Sequence, residues 1–144
     1  MRYFLFACAA LGLACGDTSP GPSDPSQALV GSWVLQSWEL REVGNPANRL
    51  DMIADGFAGT LVVGQTRAFT LALTYQGAPT SSLDGTLVLR GDTLVFQSVD
   101  GESLFKYSTS GAAMTWVTLE AELIDVDQDD EPETVTEYIV FRRQ

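Results

Sequence analysis

The chain has 144 residues, 45% of them apolar and 10% aromatic, which suits one domain burying roughly 70% of its unfolded surface. Eight basic residues face nineteen acidic ones, and the net charge of −11 repels phosphate backbones, so nucleic acid is excluded as a partner. There is no His, which removes Ser-His-Asp and Cys-His nucleophiles, imidazole bases and most zinc or copper sites.

Arg2 leads an uncharged apolar run from Tyr3 to Ala14. The run falls short of the ~20 residues a membrane anchor needs but suits the hydrophobic region of an export signal. Its end, Leu11-Gly12-Leu13-Ala14-Cys15, resembles the lipobox of bacterial lipoproteins, with Gly12 where the motif carries Leu. In that family the Cys becomes the acylated first residue of the mature chain. Cys8, after Leu5-Phe6-Ala7, has almost no apolar stretch ahead of it. Cleavage before Cys15 leaves no second Cys, hence no disulfide, and lipidation accounts for a lone leading thiol. Ordinary secretion with a free Cys15 thiol is the alternative. Gly16 stands where Asp retains enterobacterial lipoproteins at the inner membrane, so the resemblance implies the outer membrane, facing the periplasm or the cell surface.

Of the thirteen residues from Gly16 to Ala28, ten are Gly, Pro, Ser or Asp and none is a large apolar. Such a segment buries too little to offset its conformational entropy. Residues 15–28 are therefore expected to form a disordered tether, with a signal at 1–14 and a folded domain at 29–144.

Within the domain the dominant period is two. Phe69, Leu71, Leu73 and Tyr75 alternate with Ala68, Thr70, Ala72 and Thr74, and Leu83, Leu87 and Leu89 oppose Asp84, Thr86 and Arg90. Alternation marks half-buried antiparallel strands. Strands are expected at 31–43, 57–64, 67–75, 83–90, 92–99, 103–109, 113–124 and 134–143. Gly91-Asp92, Asp100-Gly101 and Ser110-Gly111 supply turn chemistry between them. Pro46, Pro79 and Pro132 all fall between expected strands. The segment 44–55 reads instead as a short helix begun by Asn45-Pro46, with Leu50, Met52 and Ile53 turned inward. Eight strands in a meander are expected to close into an all-β, antiparallel up-and-down barrel, with an open sandwich as the alternative.

The domain's opening, Leu29-Val30-Gly31-Ser32-Trp33-Val34-Leu35-Gln36-Ser37-Trp38-Glu39, resembles that of bacterial lipocalin-like domains, whose first strand carries Gly-x-Trp. Gly59-Thr60-Leu61-Val62-Val63 with Arg67-Ala68-Phe69-Thr70 is similar to their second and third strands, though Gly64-Gln65-Thr66 replaces the usual turn. Glu137 to Arg143 resembles their aromatic-then-basic last strand. The resemblance covers about 29–143. It implies an eight-stranded barrel, a structural Trp33 at its closed end and room for a small apolar ligand; it implies no activity.

Four features could carry chemistry. Between Glu120 and Glu137 lie nine of the nineteen acids and no base. Within that run, Asp125, Asp127 and Asp129 repeat the i, i+2, i+4 carboxylates that open calcium loops. Asp130 then replaces the turn Gly and Thr136 the bidentate Glu of an EF-hand. A solvated acidic hairpin, able to meet a basic partner, is therefore weighed against a non-EF cation site. Arg90-Gly91-Asp92 matches an adhesion tripeptide but is accounted for as a hairpin turn. Glu120 and Glu122 share a strand face without any surrounding sugar platform. Trp38, Tyr75, Phe96, Tyr107 and Trp116 are the candidates for lining an apolar pocket, while the bulk of Phe69, Leu71, Leu73, Leu87, Leu89 and Met114 favours a filled interior. The expectation is a non-enzymatic envelope lipoprotein: no catalytic residue, no cofactor, a membrane contact through the Cys15 lipid, and a monomer with a small apolar ligand or a purely structural role.

Overall fold

The computed structural model describes residues 25–144, so the signal segment, Cys15 and most of the tether lie outside it. Residues 25–28, expected at the tether's end, belong to the fold. Pro25–Leu29 form a 3-10 turn in which Leu29 is buried at 1% exposure.

Ten strands follow among the described residues: β1 (Gly31–Glu42), β2 (Asn45–Asp51), β3 (Phe57–Val63), β4 (Ala68–Tyr75), β5 (Ala78–Arg90), β6 (Thr93–Ser98), β7 (Gly101–Ser110), β8 (Ala113–Thr118), β9 (Glu122–Ile124) and β10 (Glu133–Arg143). Every pairing is antiparallel, in the order β2-β1-β3-β4-β5-β6-β7-β8-β10-β9, and β1 also pairs with β10. That last ladder, from Trp33↔Arg143 to Glu42↔Val135, closes an eight-stranded barrel of β1, β3, β4, β5, β6, β7, β8 and β10. A sandwich has no such ladder. Closure leaves the barrel no edge.

β1 and β10 are longer than the barrel needs. The first half of β1 pairs with β3, whereas Glu39–Glu42 pair with β2. Likewise the second half of β10 pairs with β8, while Glu133–Val135 pair with β9. The result is a four-stranded extension, β2-β1-β10-β9, continuing one side of the barrel. It has its own small core of Leu40, Val126 and Val135, flanked by Leu50, Met52 and Ile124.

The expected helix at 44–55 is not formed. β2 occupies its first half, and Pro46 is tolerated because the strand lies at the sheet edge and its pairing with β1 is irregular between Arg41 and Glu42. Helical character appears only in the following turn. There the Asp51 carboxylate accepts from the Ile53 and Ala54 amides, and the Asp55 amide donates to the Asp51 carbonyl. Leu50 and Met52 do turn inward, onto the extension, and Ile53 onto the barrel core. Pro79 also lies in a strand, β5, where the register with β4 shifts between Leu73 and Thr74. The single strand expected over 113–124 is broken at 119–121 into β8 and β9.

One barrel end is plugged. Trp33, 2% exposed, donates its Nε1–H to the Leu29 carbonyl at 2.8 Å. The Arg143 guanidinium lies 4.4 Å from the Trp33 ring and donates to the Val30 and Ala28 carbonyls at 2.9 and 2.6 Å. Gly31, at φ +139, takes a conformation closed to other residues, and a Cβ there would meet Arg143 at 3.0 Å. The Gly-x-Trp pattern thus has a physical reading: Gly31 makes room for the cation that covers Trp33.

Candidate functional site: an apolar cavity with one carboxyl

Above the plug the barrel packs Leu61, Val63, Phe69, Leu87, Leu94 and Met114 into a solid layer. Toward the other end the packing opens into a cavity of about 140 Å³. Leucines form one side: Leu35 of β1, Leu71 and Leu73 of β4, and Leu83 of β5. Aromatic rings form the other: Phe96, Phe105, Trp116 and Phe141, from β6, β7, β8 and β10. Their centroids stand 5.1 Å apart for Phe96–Phe105, 4.8 Å for Phe96–Trp116 and 4.4 Å for Trp116–Phe141, the spacing of interlocked aromatic pairs. Trp38, Ile139, Ser103 and Glu137 complete the lining.

Trp38 reaches this wall through an irregularity. On a regular strand Trp33 and Leu35 share a face, and Trp38 would point to the opposite one. Between Leu35 and Ser37 the register against β10 slips by one residue, so Leu35 pairs with Phe141 but Ser37 with Val140. The bulge at Gln36 reverses the parity of everything after it. Trp38 and Leu40 thereby turn inward beside Ile139 and Glu137.

Glu137 is the one ionisable side chain of the lining. Burial pushes its carboxyl above the ordinary carboxylate range, the negative charge of Glu122 pushes it further, and the Trp38 indole partly offsets both. Trp38 Nε1–H lies on the carboxyl's side but forms no hydrogen bond of good geometry, and neither it nor Trp116 Nε1–H has a partner among the described residues. The Glu137 backbone amide is held by the Thr118 hydroxyl oxygen at 2.9 Å, which fixes the strand at this point.

Of the five aromatic residues expected to line a pocket, the structure brings together Trp38, Phe96 and Trp116. Tyr75 and Tyr107 are not part of the lining. Tyr75 stacks outside it on Phe57 at 4.8 Å, and Tyr107 packs half-buried against the core. The filled interior expected from bulk holds for Phe69, Leu87 and Met114, whereas Leu71 and Leu73 border the cavity. In the sequence Glu137 reads as the last member of the acidic run and as part of the final strand. Its alternation with Ile139 and Phe141 is the signal that could have placed it inside.

The acidic hairpin gathers Asp125, Asp127 and Asp129 as spaced, and adds Glu133; one oxygen from each lies within 4.8 Å of the others. These carboxylates are already used by the loop itself. Asp125 accepts from the amides of Gln128, Asp129 and Asp130, Asp129 accepts from Glu131, and Glu133 accepts from Val126. Asn48 Nδ2 bridges Asp127 and Glu42 at 3.3 and 3.0 Å, tying the loop to β2. Gln128 and Asp130 sit at φ +63 and +72, the tight curl those amide contacts hold. Arg90-Gly91-Asp92 is a hairpin turn between β5 and β6, with Asp92 3.4 Å from Lys106.

The described residues include no helix long and apolar enough to cross a membrane. Searches of protein-family models and of curated proteins return no match to this chain, so what it shares with lipocalins is the shape of an eight-stranded antiparallel barrel.

Proposed function

We propose that the chain is a non-enzymatic lipoprotein of a bacterial envelope, anchored through Cys15, whose lipocalin-like barrel holds a small apolar ligand. The observation that carries the ligand reading is the cavity. Interiors pack at the density of organic crystals, and an apolar void of this size forfeits the dispersion contacts its walls would otherwise make. An engineered apolar cavity of about 150 Å³ binds benzene. At about 140 Å³ this one has room for a single ring or a short branched chain. The chemistry of the lining supports binding over catalysis. Leucines and aromatic rings dominate the lining and offer neither nucleophile nor base, and Ser103 and Glu137 are the polar residues among them besides the Trp indoles.

Anchoring is supported by the lipobox-like run ending at Cys15 and by the Gly-, Pro- and Ser-rich residues that follow it. Two measurements test the whole. Cys15→Ser should move the protein from the membrane to the soluble fraction; retention on the membrane overturns the anchor. Titration with toluene should quench tryptophan fluorescence saturably, because Trp38 and Trp116 line the cavity. Leu71→Phe, which fills the space, should abolish the effect. An unchanged response in Leu71→Phe overturns the cavity as the binding site.

A further inference from the structure

We infer that the cavity selects a small cationic amine with an apolar body, an arylalkylamine of single-ring size, whose ammonium pairs with Glu137 while its ring lies among Trp38, Phe96, Phe105 and Trp116. The inference deepens the reading of the cavity as a ligand site and rests on it. The cavity has room for about one ring and a short substituent.

The lining then decides its charge. It holds one carboxyl and no Lys or Arg, and among the described residues the ion pairs are Arg41 with Glu39 and Lys106 with Asp92, so Glu137 has no cation of its own. The charged group that acts on it is another acid, Glu122. A neutral ligand leaves that carboxyl with only the partial compensation of the Trp38 indole, and an anionic one adds a third like charge. A ligand ammonium supplies the missing counter-ion and donates hydrogen bonds to it.

The aromatic wall points the same way. Ring faces attract cations within about 6 Å of their centroids, and the attraction grows when water is excluded. Four of the lining rings come from consecutive members of the sheet order, β6, β7, β8 and β10, so they form one continuous surface facing the leucine side. Beyond the cavity, the net charge of −11 draws cations toward the protein and repels anions.

The test compares three probes of nearly equal size on the purified full-length protein at pH 7.5: benzylamine, benzyl alcohol and toluene, titrated by calorimetry and tryptophan fluorescence. Benzylamine should bind at least ten-fold more tightly than either neutral probe. In Glu137→Gln that preference should vanish, with toluene affinity kept within about three-fold, which also reports that the cavity is intact. Toluene and benzyl alcohol binding as tightly as benzylamine overturns the amine inference and leaves the cavity reading standing. An amine preference that survives Glu137→Gln comes from the surface charge and overturns the role of Glu137. Failure of all three probes overturns the cavity reading as well. Glu122→Gln, outside the lining, should leave toluene binding unchanged and the benzylamine preference above ten-fold; loss of the preference there overturns the assignment to Glu137.

Discussion

The same two strands, β1 and β10, build two unlike regions. In the barrel each has a partner on both sides, and the space they enclose is walled by large buried residues such as Trp33, Leu61, Trp116 and Phe141. In the extension they are flanked by β2 and β9, whose outer edges are unpaired, over a core of three buried residues. Buried area stabilises by about 25 cal/mol per Å², so the first region carries most of the stability. The second is held by local devices: the Asp51 turn, the Asp125 loop and the Asn48 bridge to Glu42 and Asp127. Closure secures the barrel, whereas the extension relies on caps and on an irregular, Pro-bearing edge that resists pairing with another chain.

Four substitutions sharpen or break this contrast. Trp33→Ala should have the largest effect, destabilising by about 3–5 kcal/mol in denaturant titration, because it removes a fully buried ring, its bond to Leu29 and the seat of Arg143. A melting temperature within a few degrees of the parent would mean the plug does not hold the barrel.

Val135→Ala, at the centre of the extension, should destabilise by roughly 2 kcal/mol. The loss should appear as faster amide exchange in β2 and β9 while the barrel amides stay protected. Equal acceleration in both regions would show that they unfold as one unit.

Asp125→Ala should destabilise by about 1 kcal/mol, since it strips acceptors from three loop amides in an exposed setting. Because those oxygens already serve the backbone, millimolar calcium should raise the parent's melting temperature no more than sodium chloride of equal ionic strength. Saturable one-to-one calcium binding abolished by Asp127→Asn would turn the loop into a metal site.

Glu137→Gln should be the smallest in size and opposite in sign. A carboxyl raised above its ordinary 4.5 holds its proton more tightly in the folded protein than in the unfolded chain. The stabilising contribution is therefore full below that ordinary value and is lost as pH rises through the folded one. Glutamine mimics the protonated form, so the variant should melt higher than the parent at pH 7.5 and match it at pH 4. A parent that melts higher at pH 7.5 would mean Glu137 is already compensated, leaving no vacancy for a ligand cation.

Strand positions were legible because alternation is a local property: Phe69, Leu71 and Leu73 alternate wherever β4 ends up, and a Gly at positive φ turns the chain at Gly91 and Gly111 whatever surrounds it. Which strand meets which was legible only so far as short turns force neighbours together. The β1–β10 ladder joins residues about a hundred positions apart, and no local pattern encodes it. Three misreadings have the same origin. Asn45-Pro46 carries a helix-start signal, but the long β1 offered a pairing edge that the segment took instead. Pro79 carries a strand-breaking signal, but a register shift in β5 absorbed it. Glu137 reads as a solvated acid beside eight others, yet β10 enters the barrel there and turns every second side chain inward. By itself the sequence determined the all-β class, the hairpin turns, the missing imidazole chemistry and the residues able to fill a core. The tertiary structure alone decided that a one-residue bulge at Gln36 aims Trp38 into the barrel and that a void remains among the leucines and aromatic rings. Parity along a strand is set by every residue before it and by the partner it is registered against, so a single slip, invisible in composition or period, chooses which side chains meet.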